Sequence, residues 1–297
     1  MSGASRKMDG SGERDDAGEL QWKDFMGKDP IWCPGCGDFG VLRAVQTALA
    51  ELGIAAEDAV CVTGIGCSGT FTSYVTTYGF HGLHGRALPV ATGIKCALPD
   101  KLVFVAGGDG DGFGIGLGHF MHAARRNVDL TYIVMDNQVY GLTKGQTSPT
   151  TQADKRTKAS PSGPLADPLD PLELAITAGA TYVAQGFSAR QADLTRILKD
   201  AFLHPGLALV NVQSPCVTYN TWNTYDWFKQ HLRDVDHDPS DRGAALAAVQ
   251  ADGVPHGVLY RAERAVFPSR VQMVLAAQDP KAHLGRTVEW ADAFRAR

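Results

Sequence analysis

The sequence predicts an α/β fold, namely a doubly wound and mostly parallel sheet with helices on both faces. Short, continuously apolar runs alternate along the chain with segments of helical periodicity. This alternation is typical of a parallel sheet that is covered on both sides. Glycines and polar turn residues follow the apolar runs, at the carboxyl edge where doubly wound folds bind ligands.

The first predicted elements are a helix, a strand, a second helix and a second strand. Asp38 is a candidate N-cap for a helix whose apolar residues recur every three or four positions until Gly53. The run Ala59–Thr63 stops at glycines and is interpreted as a buried strand. The segment 86–98 has the pattern of a helix, and 102–106 is a second buried strand that ends at two glycines.

The pattern continues with two more helices and two more strands. Helices are predicted at 116–126 and 189–202, and strands at 130–135 and 208–212. The segment 143–171 is different, since it is rich in Ser, Thr, Pro and Lys and has little periodicity. A loop of that length in a compact domain usually has a function or is mobile.

Composition limits the classes of function. The net charge of −4 gives no electrostatic case for a nucleic-acid or membrane partner. No apolar run approaches the roughly 20 residues that span a bilayer. The sequence is expected to divide into a disordered lead-in at 1–20, one large domain at 21–228, and a C-terminal appendage at 229–297. The appendage is expected to pack on that domain or on a partner subunit.

Cysteine content points to a reducing compartment. The six cysteines are too few for a disulfide scaffold at this length, and residues 1–19 lack an apolar export signal. We therefore expect a cytoplasmic protein with reduced thiols, in which clustered cysteines bind metal or act in catalysis. Cys61 and Cys96 stand apart from the other four, and both are expected to be buried and inert.

A glycine-rich loop with two aspartates follows the second predicted strand. The sequence Gly-Asp-Gly-Asp-Gly at 108–112 lets backbone N–H groups approach an anion. A diphosphate beside a carboxylate needs a bridging cation, and Mg²⁺ commonly binds protein oxygens together with phosphate oxygens. A second oxygen ligand is expected after the neighbouring strand. Asn137 stands there, 28 residues beyond Asp109, followed by a loop whose carbonyls are free to coordinate.

This pattern resembles the thiamine diphosphate motif, in which Gly-Asp-Gly is followed by Asn after just under thirty residues. A dinucleotide site is disfavoured, because the expected glycine pattern is absent after the first strand. The resemblance implies a magnesium ion held by Asp109, Asn137 and the Val139 carbonyl. It also implies four residues near the diphosphate, which are Gly110, Asp111, Gly141 and Leu142.

Four cysteines form a second constellation. Cys33 and Cys36 share a tight Cys-Pro-Gly-Cys turn, Cys67 lies in the glycine loop after the first strand, and Cys216 follows the last. Four sulfur ligands suit zinc or an iron–sulfur cluster, and the spacing excludes neither. The position of Cys67 in a loop that should touch the diphosphate favours a cluster, since a cluster can accept electrons and zinc cannot.

Taken together, these residues resemble the β subunit of the 2-oxoacid:ferredoxin oxidoreductases, over most of the chain from about 32 to 228. The matching stretches are WCPGCGDFG at 32–40, TGIGCSG at 63–69, YGFHGLHGR at 78–86, the GDGD loop, and YGLTKGQTSPT at 140–150. The resemblance implies one 4Fe-4S cluster on Cys33, Cys36, Cys67 and Cys216. It also implies that the thiamine cofactor is contacted by Ile65, Gly66, Cys67 and Ser68.

The resemblance also implies a reaction and its partners. A 2-oxoacid is oxidatively decarboxylated with coenzyme A to acyl-CoA and CO₂, and electrons pass through the cluster to ferredoxin. In this family the pyrimidine-binding domain lies on an α subunit, and no second domain in this chain could replace it. An αβ or (αβ)₂ assembly is therefore expected, with the chain inactive alone.

Two residues are candidates for a catalytic or substrate-binding role. Lys144 follows the cofactor loop, where its ammonium group could pair with a substrate carboxylate. Its Gly-Leu-Thr-Lys-Gly-Gln context resembles members that use 2-oxoglutarate or a range of 2-oxoacids. His84 could act near the aminopyrimidine or the substrate. Thr70 is a departure, since some relatives have lysine there.

Three alternative interpretations remain open at the level of sequence. The first is a pyruvate:ferredoxin oxidoreductase β subunit. The second is a non-oxidative thiamine diphosphate decarboxylase or carboligase, with a structural zinc site formed by the four cysteines. The third is a cofactor-binding subunit without catalytic activity.

Overall fold

The computed structural model describes residues 19–267. Nearly all of the predicted lead-in, and the part of the predicted appendage from 268 onward, lie outside the described residues. The centre of the molecule is an eight-stranded sheet with the strand order β2-β1-β3-β4-β8-β7-β10-β9. Its strands are β1 (Ala59–Thr63), β2 (Tyr78–His81), β3 (Leu102–Gly108), β4 (Leu130–Asp136), β7 (Tyr182–Phe187), β8 (Leu207–Gln213), β9 (Leu232–Asp234) and β10 (Val254–Arg261).

The predicted doubly wound, mostly parallel sheet is confirmed. All neighbouring strands pair in parallel except β10, which runs antiparallel to β7. A separate antiparallel ribbon is formed by β5 (Val139–Tyr140) and β6 (Gln146–Thr147). The four strands predicted from apolar runs are β1, β3, β4 and β8, and every residue in β1, β4 and β8 is buried.

Helices cover both faces of the sheet, as predicted. One apolar core lies under α1 (Asp38–Glu51) and α5 (Gln191–Leu203). The other lies under α2 (Ala87–Ala97), α3 (Leu117–Arg126), α4 (Pro171–Ala178) and α7 (Arg242–Gln250). A further short helix, α6 (Tyr225–His231), follows the last cysteine. No helix among residues 19–267 combines the length and apolarity needed to cross a bilayer.

The chain beyond 228 contributes to the same sheet. Residues of β10 pair with β7, and β9 pairs with β10 at the sheet edge. Leu259 of β10 is fully buried in the core beneath α7. The described part of the predicted appendage is therefore bound to the main domain by backbone hydrogen bonds and by apolar packing.

Two local predictions were wrong. Gly37, not Asp38, is the N-cap of α1, and the Asp38 carboxylate instead accepts a hydrogen bond of 2.6 Å from the Ser214 hydroxyl. Cys96 is exposed rather than buried. Ala91 and Lys95 are buried positions of α2. Successive residues of a helix are rotated by about 100°, so Cys96, which follows Lys95, lies on the exposed side of α2. Cys61 is buried in β1, as predicted.

Asn127 forms hydrogen bonds at the amino ends of β7 and β8, the end of the sheet opposite the glycine loops. It ends α3 in the left-handed conformation, with φ of 56°, and its side chain is fully buried. Its Oδ1 atom accepts hydrogen bonds from the Thr181 hydroxyl at 2.7 Å and the Leu207 amide at 2.9 Å. Its Nδ2 atom donates to the Arg264 carbonyl at 2.9 Å. One side chain thus joins α3 to the starts of β7 and β8.

Replacing Asn127 by alanine should lower the free energy of unfolding by about 2–4 kcal/mol, because buried groups lose their partners and alanine disfavours positive φ. Urea denaturation of the full chain measures this change. Gly118→Ala in the same helix is the matched control, since an added Cβ there meets no atom within 4 Å. That control should leave stability unchanged or raise it. Equal stability of the two variants would contradict the role assigned to Asn127.

Candidate active site

An open cavity lies at the carboxyl edge of the sheet, where β1, β3 and β4 end side by side. It collects twelve of the residues predicted from the sequence. These are Ile65, Gly66, Cys67, Ser68, His84, Asp109, Gly110, Asp111, Asn137, Val139, Gly141 and Leu142. Gly108, Tyr140 and Thr143 complete the lining. The structure therefore brings four separate segments of the chain to one place, as parallel strands require.

Glycine is required at two points beneath this cavity. A Cβ atom on Gly110 would overlap the ring of Tyr140, whose hydroxyl donates to the Gly110 carbonyl at 3.1 Å. A Cβ atom on Gly64 would overlap the carboxylate of Asp111. The loop after β3 continues as a single π-helical turn, Gly110–Ile115, before α3 begins. Any side chain at these two positions would therefore displace Tyr140 or Asp111, which both help to form the cavity.

Asp111 connects three loops around the cavity. Its Oδ1 atom accepts hydrogen bonds from the backbone amides of Ile65 at 2.9 Å and Gly85 at 2.8 Å. The same oxygen lies 2.9 Å from Nδ1 of His84. A carboxylate in this position makes the Nδ1–H tautomer of His84 the hydrogen-bond donor. Asp111 therefore orients the imidazole and holds the loop after β1 against the glycine loop.

Oxygen donors gather at the floor of the cavity. Asp109 is 1% exposed, and its Oδ1 atom is 3.5 Å from the backbone amide of Asn137. The side-chain oxygen of Asn137 accepts from the Val139 amide at 3.0 Å, across Gln138, which has a φ of 59°. The three predicted magnesium ligands thus lie in two loops that touch each other. Carboxylate, amide and carbonyl oxygens are the donors that hard divalent cations prefer.

A second buried carboxyl group, which the sequence analysis did not single out, lies beside Asp109. Asp136 ends β4, and burial followed by the charge of Asp109 raises its pKa to about 8. Burial also raises the pKa of Asp109. The Thr150 hydroxyl lies 2.7 Å from Oδ2 of Asp109 and 3.0 Å from Oδ1 of Asp136. One hydroxyl group from the long loop therefore bridges the two acids.

Two of the four predicted cluster cysteines, Cys67 and Cys216, lie beside the cavity. Cys67 lines it, and an added Cβ on Gly141 would lie 3.5 Å from the Cys67 sulfur and 3.9 Å from the Cys216 sulfur. Cys36 lies close enough to both of these thiols, and Cys33 close enough to Cys67, for a thiolate on one to raise the pKa of the other. Cys33 is exposed and the other three are partly buried. Across residues 19–267, no three His, Cys, Asp or Glu side chains form a group that could hold one metal ion.

Burial and a neighbouring acid keep two of these thiols protonated. Burial, reinforced by the charge of Asp38, raises the pKa of Cys67 to about 11 and that of Cys36 further still. Burial also raises the pKa of Asp38 to about 6. The Oδ2 atom of Asp38 is buried without a hydrogen-bond partner. Metal binding would therefore have to displace the thiol protons.

Three hydrogen bonds hold the cysteine loops together. Besides the bond from Ser214 to Asp38, the Gly37 amide donates to the Pro215 carbonyl at 3.1 Å. The Trp32 indole donates to the Cys67 carbonyl at 2.7 Å. The turn that carries Cys33 and Cys36 is thereby fixed both to the loop after β1 and to the segment after β8.

Lys144 lies at the rim of the site, outside the cavity lining. Its side chain is exposed and its φ is 79°, a conformation that lysine adopts rarely. Leu142 and Thr143, which precede it, line the cavity. Arg86, in the loop that carries His84, is engaged by His119, whose Nε2 atom lies 2.6 Å from the guanidinium.

Comparisons with known proteins identify the family. The model described as thiamine pyrophosphate enzyme, C-terminal TPP binding domain, matches residues 64–212. The model for the C-terminal part of the pyruvate ferredoxin oxidoreductase beta subunit matches residues 216–275. Together these matches cover the cavity loops, Cys216 and the strands that follow it.

Individual relatives agree with the family models. The chain is 43% identical over 271 residues to the beta subunit of 2-oxoacid:ferredoxin oxidoreductase 2 from Aeropyrum pernix, covering 86% of this chain and 88% of that one. It is 45% identical over 199 residues to the 2-oxoglutarate oxidoreductase subunit KorB from Mycobacterium tuberculosis, covering 67% of this chain and 53% of that protein.

A solved structure shows the same fold at similar identity. It is a 2-oxoglutarate:ferredoxin oxidoreductase from Magnetococcus marinus with 2-oxoglutarate, coenzyme A and succinyl-CoA bound. The match has a TM-score of 0.85 and 43% identity, and covers 86% of this chain and 90% of that one. With the thiamine-binding domain matched over the cavity, this chain belongs to the β subunits of the 2-oxoacid:ferredoxin oxidoreductases.

Proposed function

We propose that this β subunit, together with an α subunit, catalyses the coenzyme A-dependent oxidative decarboxylation of a 2-oxoacid, with 2-oxoglutarate favoured. Electrons would leave through a 4Fe-4S cluster to ferredoxin. The observation that carries the proposal is the position of Cys67. This residue lines the same cavity as the oxygen donors Asp109 and Asn137, and its sulfur neighbours that of Cys216.

The donor set at the cavity floor fits a magnesium ion. Asp109 would supply a carboxylate oxygen, Asn137 an amide oxygen and Val139 its backbone carbonyl. The cavity is open beside these donors, so phosphate oxygens could complete the coordination of the ion. Thiamine diphosphate, when bound, supplies the nucleophilic carbon that a 2-oxoacid needs in order to lose CO₂.

The four thiols are assigned to a redox cluster beside the cofactor, in which each thiol would hold a different iron atom and no three need to meet at one metal ion. Cys33, Cys36, Cys67 and Cys216 come from three loops that hydrogen bonds hold together. Sulfur ligands at the wall of the cavity would place an electron acceptor near the reacting carbon. The reduced thiols that such a cluster requires suit the cytoplasm.

His84 is the chain's candidate for proton handling. With its Nδ1–H held by Asp111, Nε2 is left as the acceptor of the ring. His84 lines the cavity and its ring lies 6.2 Å from that of Tyr140. We assign it to hold or accept a proton beside the substrate or the aminopyrimidine ring.

The apolar surface at the mouth of the cavity supports an α subunit as partner. Phe80 is 47% exposed, Leu83 is 74% exposed and Ile115 is 56% exposed. Leu83 directly precedes His84, and Ile115 lies against Gly85, the residue that follows His84. A protein surface that covers these side chains would also close the cavity, and the α subunit is the family's source of the pyrimidine-binding domain.

Co-expression with its α subunit should give a complex that reduces methyl viologen with a 2-oxoacid and coenzyme A. 2-Oxoglutarate should be used faster than pyruvate, and the β chain alone should be inactive because half of the cofactor site is missing. Viologen reduction over a panel of 2-oxoacids measures both claims. Full activity of the isolated chain would refute the interface site, and a strict pyruvate preference would favour the pyruvate-specific alternative.

Replacing Cys216 by alanine should abolish the broad visible absorbance of the complex and most of its iron and labile sulfide. The native complex should contain about four of each at this site, because each thiol holds one corner of the cluster. Metal and sulfide analysis provides the measurement. Cys61→Ala is the control, since Cys61 is buried in the strand β1 and is not one of the four predicted cluster ligands. A colourless complex with bound zinc would support the non-oxidative alternative.

Replacing Lys144 by alanine should raise KM for 2-oxoglutarate about tenfold, with a smaller effect for pyruvate, because only 2-oxoglutarate has a second carboxylate to lose its partner. Steady-state kinetics with both substrates tests this. Lys158→Ala is the matched control, since Lys158 is an exposed lysine in the loop after β6 and does not line the cavity. An equal change for both substrates would remove the specificity role of Lys144.

A further inference from the structure

The long loop after β6 sends a short hydroxyl-rich segment into the protein interior. We call Ser148, Pro149, Thr150 and Thr151 the hydroxyl strap. Ser148 is 6% exposed, Thr150 5% and Thr151 1%, although the loop around them lies largely at the surface. The Leu169 amide donates to the Pro149 carbonyl at 2.8 Å, which fastens the strap to the end of the same loop.

Thr150 contacts the proposed magnesium ligand Asp109 directly. Its hydroxyl donates to Oδ2 of Asp109 at 2.7 Å, and the same oxygen lies 3.0 Å from Oδ1 of Asp136. A threonine hydroxyl has one proton and two acceptor positions, so it can join two acids at once. Asp109 is thereby fixed on one carboxylate oxygen, while its Oδ1 atom faces the Asn137 loop.

Thr151 acts on the neighbouring loop. Its hydroxyl donates to the Gln138 carbonyl at 2.6 Å, and the Ser148 amide donates to that hydroxyl at 2.8 Å. Gln138 is the left-handed residue between Asn137 and Val139. The strap therefore contacts Asp109 itself and the loop that carries Asn137 and Val139.

We infer that Thr150 is a positioning residue for the magnesium ligand Asp109. Its hydroxyl holds the Asp109 carboxylate in the rotamer that presents the other oxygen to the cation. The inference rests on the proposed function, since it takes Asp109 as a ligand. Outer hydrogen-bond partners of metal ligands commonly contribute 10–100-fold to metal affinity. The aperiodic loop thus has a function at the centre of the site as well as at its rim.

The test uses the αβ complex stripped of metal and titrated with Mn²⁺ at saturating thiamine diphosphate. Electron paramagnetic resonance measures the concentration of free Mn²⁺, which gives the Kd of Mn²⁺ for the complex without any need for turnover. Thr150→Val keeps the shape of the side chain and removes the hydroxyl, and should raise the Mn²⁺ Kd about 10–100-fold. Thr150→Ser restores the hydroxyl and should stay within about threefold of the native Kd.

Thr131→Val is the matched control at the other end of β4. The Thr131 hydroxyl is also buried and donates to the Ala201 carbonyl at 3.0 Å. Its loss should leave the Mn²⁺ Kd unchanged, so it separates metal positioning from a general loss of stability. If Thr150→Val does not fold, Thr150→Ala provides the same comparison.

Asp109→Asn separates the magnesium assignment from the positioning role of Thr150. If it weakens Mn²⁺ binding strongly while Thr150→Val binds as the native complex does, the positioning inference is overturned and the magnesium site stands. If Asp109→Asn itself retains native affinity, the magnesium assignment fails and the inference about Thr150 fails with it. Weak binding by both variants, with recovery in Thr150→Ser, supports the inference.

Discussion

The parallel pairing of β3 with β4 is the constraint on which the site depends. It aligns Gly108 with Met135, so the next residues along the two strands, Asp109 and Asp136, emerge together at the carboxyl edge. Both are buried, and neighbouring buried carboxylates oppose each other's ionisation. That opposition is relieved if one acid retains its proton or a cation lies beside the other. The sheet register thus places two carboxyl groups side by side, and a divalent cation bound there would reduce the repulsion between their charges.

Buried polar side chains on β7 and β8 form a hydrogen-bond network that includes Asp136, one of these two acids. Asn211 on β8 donates to Asp136 at 3.2 Å and to Gln185 on β7 at 3.0 Å, and Gln213 also donates to Gln185. Thr150 covers the opposite side. Buried polar groups are tolerable only when such partners are present. The hydrogen-bond network therefore extends from the proposed metal site across β4, β8 and β7. Thr150 of the long loop joins it through Asp136.

Sequence patterns revealed the parts of this arrangement that are local along the chain. Continuous apolar runs predicted β1, β3, β4 and β8, because strands buried on both faces lack alternation. The edge strand β2 was missed, since all four of its residues are exposed and it has no apolar pattern of a buried strand.

Contacts between distant segments could not be predicted in this way. The bond between Asp109 and Thr150 spans 41 residues and involves a loop without periodicity. The bond between Asp38 and Ser214 spans 176 residues, and it draws Asp38 from its expected capping role into the cysteine site. The short run of Ser, Pro and Thr at 148–151 is a sequence feature around Thr150, but its burial is visible only in the structure.

The loop after β1 explains why the two proposed cofactor sites adjoin. Gly66 has a φ of 112°, so the chain turns sharply just before Cys67. Asp111 holds the start of this loop through the Ile65 amide, and Trp32 holds its end through the Cys67 carbonyl. A displacement of either anchor would move the Cys67 sulfur relative to the cavity. The same short loop therefore sets both the cradle for the cofactor and the distance that an electron leaving it would travel.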